Sequence, residues 1–349
     1  MNSRERTIRA IEFSSPDRTP QDLWWMPAVE LFQKKELEDV LQKFPRDIQV
    51  ANVEPGKSNK QKKSDIPPRF NYGGSLPRKG RYIDEWGCIR HVAEDGVTGE
   101  VKNPILENLN NLDKSTPPWE FLENTRFDQV KEVRENSDKF LLSGVCARPF
   151  ERMQFIRGTE NLFRDIVKRK RELIKLRDLV HEYNLRHIEK WLATKVDGLW
   201  IMDDWGAQNN LLISPDVWRD LFKPLYTEYC KLIHSHDKYV FFHSDGWIED
   251  IFGDLIDVGF DVINSQLFTM NIEALGRKYK GEVTFWGEID RQKILPFGDP
   301  FDVKRAVRRV RNDLEDETGG MIAQCSWGKS NPKENIEAVF DTWQEPLKK

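Results

Sequence analysis

The apolar run Tyr239-Val240-Phe241-Phe242 ends in His243-Ser244-Asp245-Gly246. An imidazole and a carboxylate two residues apart can share a metal ion or move a proton, and the glycine behind them marks a tight turn. Either chemistry needs partners, and neighbouring apolar runs supply them. Gly198-Leu199-Trp200-Ile201-Met202 runs into Asp203-Asp204, and Phe260-Asp261-Val262-Ile263 into Asn264-Ser265-Gln266. Val283-Thr284-Phe285-Trp286-Gly287 delivers Glu288, and Gly320-Met321-Ile322-Ala323 delivers Gln324-Cys325. His243, Asp245, Glu288 and Cys325 together offer imidazole, carboxylate and thiolate, all of them zinc ligands. Zinc held by three or four of these, with a position left open, acts as a Lewis acid. A plainer reading stands beside it: His243 and Asp245 form a hydrogen-bonded polar pair, and Cys325 is a small core residue. Asp203 and Asp204 divide likewise, between accepting a proton or orienting a substrate and capping a loop. Asn264 and Gln266 read as hydrogen-bonding pocket residues. Trp24, Trp25, Trp86, Trp205 and Trp286 lie near expected strand ends and together suggest an aromatic-lined pocket.

Short apolar segments alternating with helical stretches imply a parallel sheet, and polar residues gathered at the strands' C-terminal ends point to a (β/α)8 barrel. The later strands are expected to end at Met202, Phe242, Ile263, Gly287 and Ala323. Earlier strands are expected at Leu23–Met26, Asp47–Val53 and Lys139–Val145, with a helix over Arg4–Phe13 and another over Glu30–Phe44. Ser214-Pro215 opens a helix over Asp216–His236, serine as the N-cap and proline in the first turn. Arg81–Val101 reads as a small antiparallel appendage, within an insertion over about residues 54–104 of a single domain spanning 1–349. Pro104–Pro118 is loop-like. Lys168-Arg169-Lys170-Arg171 falls on a charged helix face.

Composition suits this picture. The chain has 349 residues, 38% apolar and 32% charged, enough for one barrel core under a well-solvated exterior. A net charge of -4 favours neither nucleic acid nor an anionic membrane as partner. Lys57, Lys60, Lys62 and Lys63 lie in a polar stretch without interleaved aromatics, so a solvated loop explains them better than nucleic-acid binding. No apolar run has the length of a signal or membrane-spanning segment. Four scattered cysteines, with no C-x-x-C, favour a reducing compartment, and a cytoplasmic location is expected. A homodimer is among the expectations for its assembly.

The sequence resembles the uroporphyrinogen decarboxylase superfamily, in its corrinoid-dependent methyltransferase branch, from Arg4 nearly to Glu345. Tyr82-Ile83-Asp84-Glu85-Trp86-Gly87, Asp203-Asp204-Trp205-Gly206, Ser214-Pro215 with Phe222-Lys223-Pro224, Phe242-His243-Ser244-Asp245-Gly246, and Gly259 with Asn264 carry the resemblance. Trp286-Gly287-Glu288-Ile289-Asp290 and Gln324-Cys325 look like the anaerobic O-demethylases that act on methoxylated aromatics. The resemblance implies a (β/α)8 barrel that moves a methyl group from an aryl methyl ether to the Co(I) corrinoid of a partner protein. It implies zinc on His243, Asp245 and Cys325, with Glu288 as fourth ligand or proton donor. Asp204 joins His243 and Glu288 as a catalytic candidate, and Trp24, Asp203, Asn264, Gln266 and Trp286 would bind substrate. Two departures refine this. Pro20-Gln21-Asp22-Leu23-Trp24-Trp25-Met26 lacks the arginines that cradle porphyrinogen carboxylates in true decarboxylases, which speaks against decarboxylation. The thiol-directed enzymes pair histidine with cysteine where this chain has His243 and Asp245, a harder site that favours an oxygen-bearing substrate. A decarboxylase-like lyase and a non-catalytic binding protein of the same fold remain the alternatives.

Overall fold

The computed structural model describes residues 1–68, 76–114 and 116–345; parts of the expected insertion (69–75) and of the Pro104–Pro118 loop (115) lie outside them. Eleven strands occur among the described residues: β1 Gln21–Trp25, β2 Ile48–Val50, β3 Gly80–Ile83, β4 Ile89–Val92, β5 Glu100–Asn103, β6 Phe140–Ala147, β7 Gly198–Met202, β8 Tyr239–Ser244, β9 Val262–Ser265, β10 Thr284–Trp286 and β11 Met321–Trp327. Eight run parallel in the order β1-β11-β10-β9-β8-β7-β6-β2, while β3, β4 and β5 form a separate antiparallel sheet. The ends of the large sheet meet where the Asp47 backbone N–H donates to the Gln21 carbonyl at 2.7 Å. With helices between the strands, this is a (β/α)8 barrel carrying a small antiparallel insertion. No helix among the described residues is long and apolar enough to cross a membrane.

Successive side chains of a strand point to opposite faces. In β8, Val240 and Phe242 pack against helices while Phe241 faces the lumen, where Ile48, Phe140, Leu142, Val262, Trp286 and Ile322 also meet. His243 therefore rises above Phe241 on the inner face. Strand register then places Met202 beside His243 and His243 beside Asn264.

Several strand ends differ from expectation: β1, β2 and β10 stop short, at Trp25, Val50 and Trp286, and β6 runs on to Ala147. Among the later strands β8 continues through Ser244, β9 through Ser265 and β11 through Trp327, because each finds ladder partners on its neighbours: Ser244 against Ser265, Cys325 against Leu23. Two expected helices are each split, one at Gln33 and one at Phe222. Ser214 does cap its helix, accepting from the Val217 N–H at 3.4 Å.

The Ser3–Ile11 helix closes the barrel floor, and Asp47 fastens it. This fully buried carboxylate accepts from Arg6 Nη1 at 2.6 Å, Arg18 Nη1 at 2.7 Å and the Gln21 N–H at 2.7 Å. Removing one partner of a buried ion pair strands the others in a low dielectric. Asp47→Ala is expected to cost about 3 kcal/mol of unfolding free energy, read as a lower urea midpoint at unchanged slope. An unaltered midpoint would mean that the floor is held by packing alone.

Candidate active site

Three ligand-capable side chains converge at the C-terminal mouth. Asp204, His243 and Asp245 each offer one atom within 4.8 Å of the others. His243 supplies Nε2, 3.4 Å from Asp245 Oδ1 and 3.8 Å from Asp204 Oδ1. Its Nδ1 lies 2.5 Å from Asn264 Oδ1, so Nδ1 carries the proton and donates it there. Asn264 is turned to present that oxygen because its amide nitrogen donates to the Trp286 carbonyl and, at 3.3 Å, to Gln324 Oε1. An imidazole whose Nδ1–H is fixed by an outer partner has its Nε2 lone pair aimed at a fixed point, the arrangement usual for metal-bound histidine.

Charge around the triad is tightly balanced. Burial alone would lower the His243 pKa, but the Asp245 and Asp204 carboxylates and the Asn264 hydrogen bond raise it to about 9. Burial likewise pushes Asp245 up, yet His243 and Arg291 hold it below the ordinary carboxylate range. Burial and the Glu151 charge raise Asp204 to about 6. Asp245 accepts at Oδ2 from Arg291 at 2.6 Å, while its Oδ1 is buried and without a hydrogen bond among the described residues.

An orphaned buried carboxylate oxygen beside a free imidazole nitrogen and a second carboxylate suits a divalent cation. The donor set is hard, one nitrogen and two carboxylates, which zinc, manganese, iron and cobalt all accept. Asn264→Ala should loosen such an ion about 10–100-fold, measured by titrating zinc into the apoprotein. Equal affinity in the variant would show that Asn264 does not set the His243 ring.

The expected four-ligand set is corrected in two places. Cys325 lies within β11 rather than beyond it, and Gln324 takes the inner face. Its thiol therefore joins Met321, Ala323 and Trp327 against the helices, where burial keeps it in the thiol form. Glu288 is near but separate from the triad. It is 2% exposed, with Oε2 unpartnered among the described residues and Oε1 3.6 Å from Arg291 Nε. Burial raises its pKa to about 7 although the Arg291 charge opposes this.

Asp203 is also corrected. Its carboxylate is fully buried and faces away from the mouth, accepting from the Phe150 and Glu151 N–H groups at 2.8 and 2.7 Å and from the Tyr226 hydroxyl at 2.6 Å. It caps the Pro149–Arg157 helix and leaves no oxygen for substrate.

The tryptophans build a floor rather than a pocket wall. Trp24, Trp200 and Trp286 pack on one another with centroids 4.9–5.7 Å apart, and Trp24 meets the His243 ring edge-on at 5.3 Å. Trp24 and Trp286 both donate from Nε1 to Asp22 Oδ2, whose other oxygen accepts from Arg46. Trp86 and Trp205 sit in the helix-side core. The open space lies to one side, a cavity whose lining includes Gln208, Gln266, Phe268, Glu288, Arg291 and Lys293. Gln266 accepts the Gly246 N–H at 3.0 Å, tying this wall to the turn behind Asp245.

The sequence reading passed over Arg291, Glu151, Asp22 and Trp200. Arg291 carried a usable signal, a cation three residues beyond Glu288 in the same strand-end loop. Glu151 follows β6, whose terminal residues suggested no chemistry.

A (β/α)8 barrel with imidazole and carboxylates at its C-terminal mouth defines a class of barrel enzyme sites. Residues 84–346 match the family described as Uroporphyrinogen decarboxylase (URO-D), and the chain belongs to that family. In solved structures the fold is similar to a methyltransferase from Methanosarcina mazei, at 15% identity over 98% of both chains with a TM-score of 0.68. An endo-beta-1,4-xylanase from Gloeophyllum trabeum aligns over 97% of this chain and 99% of its own, at 10% identity and a TM-score of 0.46, too weakly to carry an argument. No match was found among curated proteins.

Proposed function

We propose that this chain is a methyltransferase that moves a methyl group from an aryl methyl ether to the Co(I) corrinoid of a partner protein. The observation that carries the reading is the Asp204–His243–Asp245 triad, a hard nitrogen and oxygen site at the mouth of a URO-D family barrel. The similarity in fold to a methyltransferase is consistent with it. In the reaction the Co(I) electron pair forms the new bond to the methyl carbon, and the ether C–O pair leaves with the aryl oxide.

Co(I) needs no activation from this chain, so the residues act on the departing oxygen. A divalent ion on Asp204, His243 and Asp245 would, when bound, stabilise negative charge there as a Lewis acid. Asn264 holds the His243 ring in the required tautomer, and the tryptophan floor prevents the ring from tilting. Glu288, part protonated near neutral pH, gives its proton to the leaving oxygen. Phe268 offers an apolar face to the aromatic ring.

The test is incubation of the purified chain with a methoxylated aromatic and a Co(I) corrinoid protein, following the visible spectrum as cobalt is methylated. Demethylated phenol should appear in equal amount. Release of carbon dioxide from a carboxylated substrate without any change at cobalt would replace this reading with a decarboxylase-like one.

A further inference from the structure

We infer that the Ile294–Phe297 turn and the start of the Pro300–Leu314 helix form a twofold interface on which a second copy of this chain docks. Nothing in it depends on the methyl-transfer reading. Phe297 and Phe301 keep 82% and 67% of their exposure, with only Gly298-Asp299-Pro300 between them. Neighbouring exposed rings rimmed by charge mark a surface that another protein covers. The backbone is built to hold them outward. Leu295 is buried in the core, and the buried Asn335 side chain donates to the Leu295 and Gly298 carbonyls at 3.0 and 2.8 Å. Asp299 Oδ1 accepts the Phe301 and Asp302 N–H groups, both at 2.9 Å, and so starts the helix. In that helix Val303, Ala306, Val307 and Val310 pack inward, which leaves Phe301 and Arg305, one turn apart, on the outer face.

The charges around the rings select the occupant. Lys293, Lys304 and Arg305 carry one sign, and Asp299, Asp302 and Glu334 the other. Arg308 and Lys333 are committed within the copy, to Glu345 at 2.8 Å and to Asp39 at 3.0 Å. A partner of one strong charge sign would meet like charges on half of this rim. A second copy meets opposite ones, because the charges are ordered along the chain: Asp299 precedes Phe301, and Lys304 and Arg305 follow it. A twofold axis beside Phe301 runs the two helices antiparallel and sets Arg305 of each copy toward Asp299 of the other. Both groups are available. Asp299 Oδ2 makes no hydrogen bond among the described residues. Arg305 is 72% exposed, lies over its own Phe301 ring at 5.9 Å, and spends only Nη2 on Asp302, at 2.9 Å. The rest of its fork can reach across the axis.

The rings alone are too small for a permanent dimer. A phenylalanine buries about 150–250 Å², so two mostly exposed rings on each copy withdraw on the order of 600 Å² in all. A specific interface buries about 1,200–2,000 Å², so the flanking charged side chains must cover as much again. The dimer expected is therefore in equilibrium with monomer, with a dissociation constant in the micromolar range.

Sedimentation velocity of the full chain is run from about 1 to 100 µM. The parent is compared with Phe297→Ser plus Phe301→Ser, with Phe297→Ser alone, and with Arg305→Glu and Arg305→Lys. The parent should pass from monomer to dimer and stop there. The double variant should stay monomeric throughout, and should melt where the dilute parent does, because exposed rings do not support the fold. Phe297→Ser alone and Arg305→Glu should each weaken the dimer by about tenfold or more, and Arg305→Lys by less. A parent that is monomeric at every concentration overturns the interface. So does a dimer undiminished in the double variant, which would lie on another face. Growth beyond the dimer overturns twofold closure, and an unchanged constant in Arg305→Glu overturns the charge pairing across the axis. A parent that stays monomeric yet binds a corrinoid protein through Phe297 and Phe301 gives the face to that carrier and overturns the second copy. No arm reads methylation of Co(I), so failure here leaves the methyl-transfer reading standing, and failure of that reading leaves the dimer.

Discussion

His243→Ala is expected to lower methyl transfer by about 10²–10⁴-fold, the scale on which a positioned group acting on a leaving atom contributes. The imidazole joins both carboxylates of the triad and is the only nitrogen among its three ligand groups. Its loss removes a ligand from the triad and the ring nitrogen that lies 3.4 Å from Asp245 Oδ1. The variant should also be less stable. His243 is 5% exposed and packed on Trp24, and truncation strands Asn264 Oδ1 without its donor. An unsatisfied buried acceptor costs about 1–3 kcal/mol. Thermal melts and rates are therefore measured together, at a temperature where the variant is folded. Full activity in a folded His243→Ala protein would falsify the assignment of leaving-oxygen activation to the triad.

Glu288→Gln should slow transfer by about 10²-fold or more, near the lower end for loss of a general acid. Glutamine keeps the shape and can still donate a hydrogen bond, but it cannot release a proton. The penalty depends on the leaving group: phenol loses its proton near pKa ~10, so an aryl oxide needs modest help, whereas an alkyl oxide needs far more. The ratio of aryl to alkyl ether rates should therefore widen in the variant. Its pH profile is a second readout. The reactive form of Glu288 is the protonated one, and its pKa is raised to about 7. Parental activity should accordingly be lost as pH rises through about 7, and that limb should vanish in Glu288→Gln. A variant that keeps the limb would place the titrating group elsewhere.

The barrel was legible in the sequence because its cause is local. Each apolar run long enough for a strand, followed by a turn and an amphipathic stretch, announces one β/α unit without knowledge of the rest. Placement of His243, Asp245, Asp204 and Glu288 at the C-terminal mouth followed from the same rhythm. The side to which each chain points did not follow, because it depends on where the ladder stops. Extending β11 past Ala323 turned Cys325 from a candidate ligand into core, since parity gives the inner face to Gln324. Asp203 and Asp204, adjacent in sequence, part in space for a comparable reason. The first is consumed by the helix N-terminus that follows β6, a contact across 53 residues, and the second is left at the mouth. Arg291 acquires its meaning only from Asp245 and Glu288 beside it. Residue types and strand ends are local properties of the chain, whereas ligand sets, shared charges and the open side of a cavity arise from distant segments meeting, so only the tertiary structure decided them.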